Sequence, residues 1–475
     1  MSPNPHTSRP TVAIVGGGIA GASAAHAVRE ALPDAEIIVL EAADRVGGKL
    51  HRIDLAGVTI DAGAESLLAR RPEALALISH VGLQDAVVHP ATTRAALWTR
   101  GSLRPMPPTV MGVPVDLDAL ADSGVISRVG MLRAQVPRRR EPPVDDVSVG
   151  DYVSAQLGDE VCDRLVEPLL GGVYAGHARS LSLRAAAPQI AALAEADGSL
   201  VEAAARSRSA ASSPGTTVFA GLRGGVGSLV PATLDAARVD LRLRSTVREL
   251  ARTPDGQWQL TVGPTIDVEL IEADAVILAT PASPTAKLIA PHSGVAATEL
   301  ASIEYASMAI VSLAVPRDAI GGSVDSSGFL VPPVDGHAIK AATISSRKWP
   351  WIDESSHDFV LLRASIGRAG ETELLQRTDE ELVSLVVSEL AEAIELRGAL
   401  ADFHVQRWGG ALPQYAVGHL DLVRRVDEAV AAVEGLEVCG AAYTGVGVPA
   451  VIATAQAAAG RVANHIRTTP IREGQ

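Results

Sequence analysis

Residues 11–21, TVAIVGGGIAG, constrain this chain more than any other stretch. Thr11–Val15 is apolar and partly β-branched, which predicts a short buried strand. Gly16, Gly18 and Gly21 follow at the G-x-G-x-x-G spacing, with Gly17, Ile19 and Ala20 between them, and an alanine-rich run to Ala31 predicts a helix. The first glycine allows a tight turn, the second lets backbone amides approach a pyrophosphate, and the third lets the helix pack closely on the strand. The helix N-terminus then faces the negative charge. A second strand, Glu36–Leu40, leads to Glu41, whose carboxylate suits ribose hydroxyls and would repel a 2′-phosphate. A glycine triplet alone is a weak signal. Strand, glycines, helix, strand and terminal acid in that order predict a dinucleotide site in an α/β, Rossmann-type domain.

The other end of the chain repeats the arrangement. Residues 435–440 read as a strand, 441–449 as a glycine turn, and the run to His465 as a helix with Pro449 at its start. The amides of Val446, Gly447 and Val448 would face a ligand, so one long ligand is expected to be held by both ends. After Glu41 and Ala42, the group Arg45, Gly47, Gly48 and Lys49 offers a backbone curl and positive charge for a second phosphate. A solvated basic pair is the plainer reading of Arg45 and Lys49. Strand 58–61 runs into Gly63, Ala64, Glu65 and Ser66, a small-residue turn that a flat ring can approach.

The rest of the chain divides by composition. Residues 67–90 predict a helix and turn, opened by Arg70 and Arg71. Residues 91–214 hold clustered prolines, an Arg138–Arg140 run, a helix at 158–170 ending on Gly171 and Gly172, a helical stretch at 181–204 and a loop at 207–217, hence a mostly helical domain. Within it, 106–137 mixes apolar residues with a basic end, which suits a membrane surface, a cover over a substrate mouth or an ordinary packed subdomain. Residues 240–247 predict a strand, 257–262 and 266–271 a hairpin, and 273–281 a buried strand that stops at Pro281 and returns to the parallel sheet. Strands at 306–315, 337–345 and 358–366 and a helix at 379–396 predict a second domain with an antiparallel sheet. The expected organisation is a discontinuous dinucleotide domain from 10–90, 215–281 and 405–467, a helical domain at 91–214 and an antiparallel-sheet domain at 282–404.

Composition excludes several functions. Acidic residues number 55 against 41 basic ones, a net charge of −14, which argues against nucleic acid as the main partner. Cys162 and Cys439 stand far apart and form neither a disulfide framework nor a metal cluster, so no metal is assigned and both are read as reduced thiols in the cytoplasm. Residues 1–10 are polar and proline-rich rather than a signal peptide, and no apolar stretch reaches bilayer-spanning length. Peripheral membrane contact stays open.

The motifs at 16–21, Glu41-Ala42, 45–49 and 445–449 resemble the flavin amine oxidase superfamily. Residues 104–107, 167–176, 348–350, Arg407-Trp408 and 412–419 narrow the resemblance to FAD-dependent porphyrinogen oxidases, above all the soluble coproporphyrinogen III oxidases of Gram-positive bacteria. That resemblance implies a Rossmann-type FAD domain, an α+β substrate domain and a helical insertion. It implies non-covalent FAD, with Gly16, Gly17, Gly18, Ile19, Ala20 and Gly21 on the pyrophosphate and Glu41 and Ala42 on the ribose. Lys49, Gly63, Ala64, Glu65 and Ser66 would lie along the ribityl chain and ring, Val247 at the adenine, and Trp408, Val446, Gly447 and Val448 around the isoalloxazine. The implied reaction is oxidation of coproporphyrinogen III to coproporphyrin III by dioxygen, releasing hydrogen peroxide, in heme biosynthesis. The next enzyme of that pathway is an expected partner.

Relatives often carry lysine where this chain has Arg71; an arginine binds a propionate but does not act as a base. Arg70 and Arg71 are therefore expected to bind substrate, Tyr174 to lie near the macrocycle or in the core, and no catalytic residue is assigned. Protoporphyrinogen IX oxidation is the alternative on the same chemistry. An amine oxidase is a further alternative, but such enzymes often have an aromatic residue where this chain has Val446, and 407–415 holds no cysteine for covalent flavin. A porphyrin carrier with a vestigial flavin fold is the remaining one.

Overall fold

The computed structural model describes residues 9–136, 143–211, 217–322 and 325–468. Its centre is a five-stranded sheet in the order Asp240–Arg242, Glu36–Leu40, Thr11–Val15, Ala275–Leu278, Leu436–Val438, with every pair parallel. The middle strands are buried on both faces, as their unbroken apolar runs require. Helices Ile19–Ala31, Leu229–Ala237 and Val448–Thr468 cover one face and share a core with it. The other face packs on the antiparallel strands Val247–Arg252, Trp258–Val262 and Glu269–Ala273 and on helices Ala282–Ile289, Gly294–Ala301 and His419–Ala431. The first and last helices lie against each other through buried alanines such as Ala20, Ala24, Ala455 and Ala459. The two ends of the chain therefore meet, and both glycine turns leave the carboxyl edge of one sheet.

The expected 240–247 strand is in fact two. Asp240–Arg242 completes the parallel sheet and Val247–Arg252 starts the antiparallel one. Between them Arg244 turns through φ 55°, and the amides of Arg244 and Ser245 donate to Ala43 and Glu41 carbonyls.

A seven-stranded sheet forms the second body, in the order Asp402–Pro413, Tyr305–Pro316, Phe359–Ile366, Ile339–Ile344, Gly328–Leu330, Ala96–Thr99, Ser102–Pro105. One face is buried under helix Asp379–Ile394, which opens with a Thr378/Glu381 capping box. Two boundaries differ from expectation. The 96–105 hairpin, expected in the helical domain, pairs with Phe329 and Leu330, and Asp402–Pro413, expected to begin the last dinucleotide segment at 405, is the opposite sheet edge. An open edge recruits strands through main-chain hydrogen bonds, which leave little trace in residue type.

Between these bodies lies the helical region. The helix expected at 158–170 contains a π-helical turn, Cys162–Val166, and helix Glu167–Tyr174 runs straight through Gly171 and Gly172. Ala175, at φ 49°, ends it instead. The stretch 181–204 is broken into Leu183–Ala186, Pro188–Glu195 and Leu200–Ala211 by Pro188 and by Gly198 at φ 83°. Residues 207–211 of the expected 207–217 loop are helical, and 212–216, like Pro137 and Arg138–Arg140, lie outside the described residues. On helix Arg128–Ala134, Val129 and Leu132 are exposed, as is Val136 beyond it. Among the described residues no helix is long and apolar enough to cross a membrane. Both cysteines are buried and unpaired, and burial pushes each thiol up to about 12.

Candidate active site

The first glycine turn is shaped by contacts that admit only hydrogen. Gly16 turns through φ 114°, and a Cβ there would come 2.9 Å from the Ala279 carbonyl oxygen. At Gly21 it would lie 1.8 Å from the Gly16 oxygen, whereas Gly18 has nothing in front of it within 4 Å. The Gly47 amide donates to the Gly17 carbonyl at 2.9 Å, which sets the Arg45–Lys49 curl against this turn. Helices Ile19–Ala31 and Val448–Thr468 begin here, and neither has an acid in its first turn. Two positive dipole ends thus stand without a counter-charge from their own helices. Glu41 accepts the Gly17 amide at 2.7 Å and the Ala43 amide at 2.8 Å, keeping further lone pairs for hydroxyls. The Ser245 amide donates to the Glu41 carbonyl at 2.8 Å and brings Val247 toward it; Ala42 is exposed beside it.

The small-residue turn at 63–66, the ring turn expected above, is built the same way. A Cβ on Gly63 would lie 1.9 Å from the Lys49 carbonyl oxygen and 3.3 Å from Trp408 Cζ2. Trp408 donates its indole N–H to the Ala62 carbonyl at 3.2 Å, which fixes the ring against this turn. Burial holds the Lys49 amine below its usual range. Ala64 is exposed and Ser66 half-buried. Two expected participants are otherwise engaged. Arg45 curls back on the Val46 and Gly48 carbonyls. Glu65 turns its carboxylate to Lys348 at 2.6 Å and Arg363 at 3.5 Å. Burial works to raise the Glu65 pKa, but the two cations outweigh it and hold the group below the ordinary range.

The closing turn is tied down by Tyr415, whose hydroxyl accepts the Gly445 amide at 2.8 Å and donates to the Ala441 carbonyl at 2.6 Å. Its ring stacks on His419 and lies 5.5 Å from Tyr174. Val446 packs against the helical core and Val448 is buried. Tyr174 is buried, its phenol pushed up to about 12, with no hydrogen bond from its hydroxyl among the described residues. Arg70 is exposed, and Arg71 is ion-paired with Glu73.

Glycine turn, paired helix N-termini, the Glu41 carboxylate and a small-residue turn beside an indole fit a flavin cofactor along the sheet edge. The sequence matches the family model described as flavin containing amine oxidoreductase over residues 19–463. The chain belongs to this family. This flavin amine oxidoreductase is 36% identical over 459 residues to the coproporphyrinogen III oxidase of Mycobacterium bovis, covering 93% of this chain and 95% of that one. It is 30% identical over 464 residues to the coproporphyrinogen III oxidase of Bacillus subtilis, covering 94% and 96%. A crystal structure from Exiguobacterium sp. 255-15 superposes with a TM-score of 0.85 at 31% identity, covering 96% of this chain and 99% of the other. This member of the family is an oxidoreductase with the fold expected from its glycine motifs.

Several residues at the site were not singled out from sequence. Arg363 donates to the Asp61 and Gly63 carbonyls at 3.1 and 2.8 Å, joining the seven-stranded sheet to the ring turn. Asp61 accepts the Val226 and Gly227 amides, and burial pushes its carboxyl up to about 6. Lys340, on the same sheet, and Arg368, two residues past the end of strand Phe359–Ile366, are buried cations. Away from this site, His26, Glu30 and His80 bring ligand-type atoms within 4.8 Å of one another at the surface.

Proposed function

We propose that the chain binds FAD non-covalently and oxidises coproporphyrinogen III to coproporphyrin III, with dioxygen as terminal acceptor and hydrogen peroxide as co-product, in the cytoplasmic heme pathway. The observation that carries this reading is the convergence of both glycine turns on one sheet edge, next to a sheet that bears the buried cation Lys340. When bound, FAD supplies the two-electron acceptor, and three such oxidations account for the six electrons removed. Gly16–Gly21 amides and the amides at 446–448 hold the phosphates and flavin, Glu41 holds the ribose, and Val247 meets the adenine. Trp408 and residues 63–66 set the ring plane through the backbone, while the Glu65 carboxylate supports the turn from behind. Both thiols are buried with their acidity suppressed, which favours a cofactor released by denaturant. Arg70 reaches a propionate directly, and Arg71 does so by exchanging Glu73 for it.

Anaerobic mixing of the purified protein with coproporphyrinogen III tests the reading. Bleaching of the flavin absorbance, then oxygen uptake and porphyrin fluorescence on aeration, is the expected result. Flavin that stays oxidised overturns it, and faster bleaching by protoporphyrinogen IX moves the substrate to that ring.

A further inference from the structure

Lys340 stands where the ladder between Ile339–Ile344 and Phe359–Ile366 slips: Ile339 pairs with Ile366, but Ala341 pairs with Ser365. Counting back from Ala342, strict alternation would bury Lys340 under helix Asp379–Ile394 with Ala342 and Ile344. The bulge keeps it on the opposite face. There its Nζ touches the Met308 sulfur at 3.7 Å and meets no carboxylate or carbonyl oxygen among the described residues, although the residue is only 3% exposed.

Met308 fixes which way this face looks. It pairs with Trp408 across the neighbouring ladder, and Trp408 donates to the Ala62 carbonyl at the ring turn. Met308, Ala341, Thr343, Arg363, Ser365 and Trp408 are all half-buried, whereas Ile339, Ala342, Ile344, Leu362, Ala364 and Ile366 beneath the helix are buried. Around Met308 and Trp408 this side of the sheet is therefore partly exposed, although Ile310 and Ser312 beside Met308 are buried. The ammonium lies just beneath this surface, covered by a flexible thioether that a rotamer change displaces.

The surroundings are short of negative charge. Arg368 is close by and buried, and its contacts to Glu371 and to the Val331 carbonyl are both at 3.5 Å, the long limit for a hydrogen bond. Glu371 is itself 45% exposed. Two buried cations thus share one half-solvated carboxylate, an arrangement that is unfavourable until an anion arrives. Burial first, then Arg368, brings the Lys340 amine down to about 7.

We infer that Lys340, backed by Arg368, receives a carboxylate of the substrate on the sheet side of the site, once Met308 swings aside. The inference rests on the porphyrinogen reading above, which supplies a ligand with several propionates. The ammonium donates a charge-assisted hydrogen bond to the carboxylate and keeps its proton, while Arg368 adds field from behind.

The test titrates flavin-loaded protein with coproporphyrin III, following porphyrin fluorescence, for wild type, Lys340→Met and Lys340→Arg. Lys340→Met is expected to weaken binding by about tenfold or more, and Lys340→Arg by no more than about threefold. Flavin content should be unchanged in both, and the melting temperature of Lys340→Met should equal or exceed wild type, because an apolar side chain replaces an unpartnered buried cation. Unchanged affinity in Lys340→Met overturns the inference alone. Loss of flavin or of folding in Lys340→Met makes the lysine structural and overturns it too. A wild type that binds no coproporphyrin overturns both the inference and the reading beneath it.

Discussion

At Gly21 the first helix and the loop that precedes it contend for one volume, since a Cβ there would lie 1.8 Å from a backbone oxygen that cannot rotate away. Gly21→Ala is expected to cost about 1–3 kcal/mol and to be recovered largely without flavin, as read by the ratio of visible to protein absorbance. Gly18→Ala offers a contrast. Its φ of −82° suits any residue and open space lies before it, so the variant should melt like wild type yet bind flavin more weakly, because the methyl intrudes only on the ligand. Equal flavin content in both variants would contradict the cradle. These glycines were legible in the sequence because their spacing encodes backbone geometry. The Glu65 carboxylate was not. Its partners Lys348 and Arg363 arrive from the far side of the chain, and nothing local marks an acid that will turn away from the ligand.

At the scale of elements, strand bounds such as Thr11–Val15 and Glu36–Leu40 and the helix Ile19–Ala31 were readable to the residue, because apolar run, glycine turn and alanine helix each leave a strong local pattern. What stayed hidden depends on pairing: the bulge at Lys340, the 96–105 hairpin joining a distant edge, and the link between strand Asp402–Pro413 and the closing turn. That link runs through the hydroxyl of Tyr415, two residues past the strand. Tyr415→Phe keeps the stacked ring but leaves the Gly445 amide and the Ala441 carbonyl without it. An unmet buried group costs about 1–3 kcal/mol. The turn that carries the amides at 446–448 should therefore loosen, and flavin affinity should fall by about tenfold or more in equilibrium dialysis, with little change in far-ultraviolet circular dichroism. Undiminished affinity would mean that the turn is held by packing of Val446 and Val448 alone.

Across the whole molecule, Arg363 ties the seven-stranded sheet to strand Val58–Asp61 and the turn after it, and the carboxylates beside it respond to pH with opposite signs. Asp61 has a folded pKa of about 6, above its ordinary 3.8, because burial outweighs the amides of Val226 and Gly227 and the charge of Arg363. The folded state therefore binds the proton more tightly than the unfolded chain. The contribution of Asp61 is fully present below about pH 4 and is lost as pH rises through 6, a swing of about 3 kcal/mol at 1.36 kcal/mol per pKa unit. Glu65 behaves in reverse. Burial alone would raise it, yet Lys348 and Arg363 hold it below its ordinary 4.5, so its contribution is present above that value and fades as pH falls through the depressed folded pKa. Urea midpoints of wild type, Asp61→Asn and Glu65→Gln, measured on flavin-loaded protein between pH 4 and 7, separate the two. Asp61→Asn should lose ground to wild type steadily as pH drops from 7 to 4, since the variant forgoes proton uptake. Glu65→Gln should be destabilised most at pH 7, where Lys348 and Arg363 are left facing a neutral amide, and should approach wild type only below about pH 4.5. Parallel curves for all three proteins would mean that the joint between the seven-stranded sheet and this turn does not depend on these charges. Curves that diverge in opposite directions would make the turn at 63–66 the point at which pH reaches the whole fold.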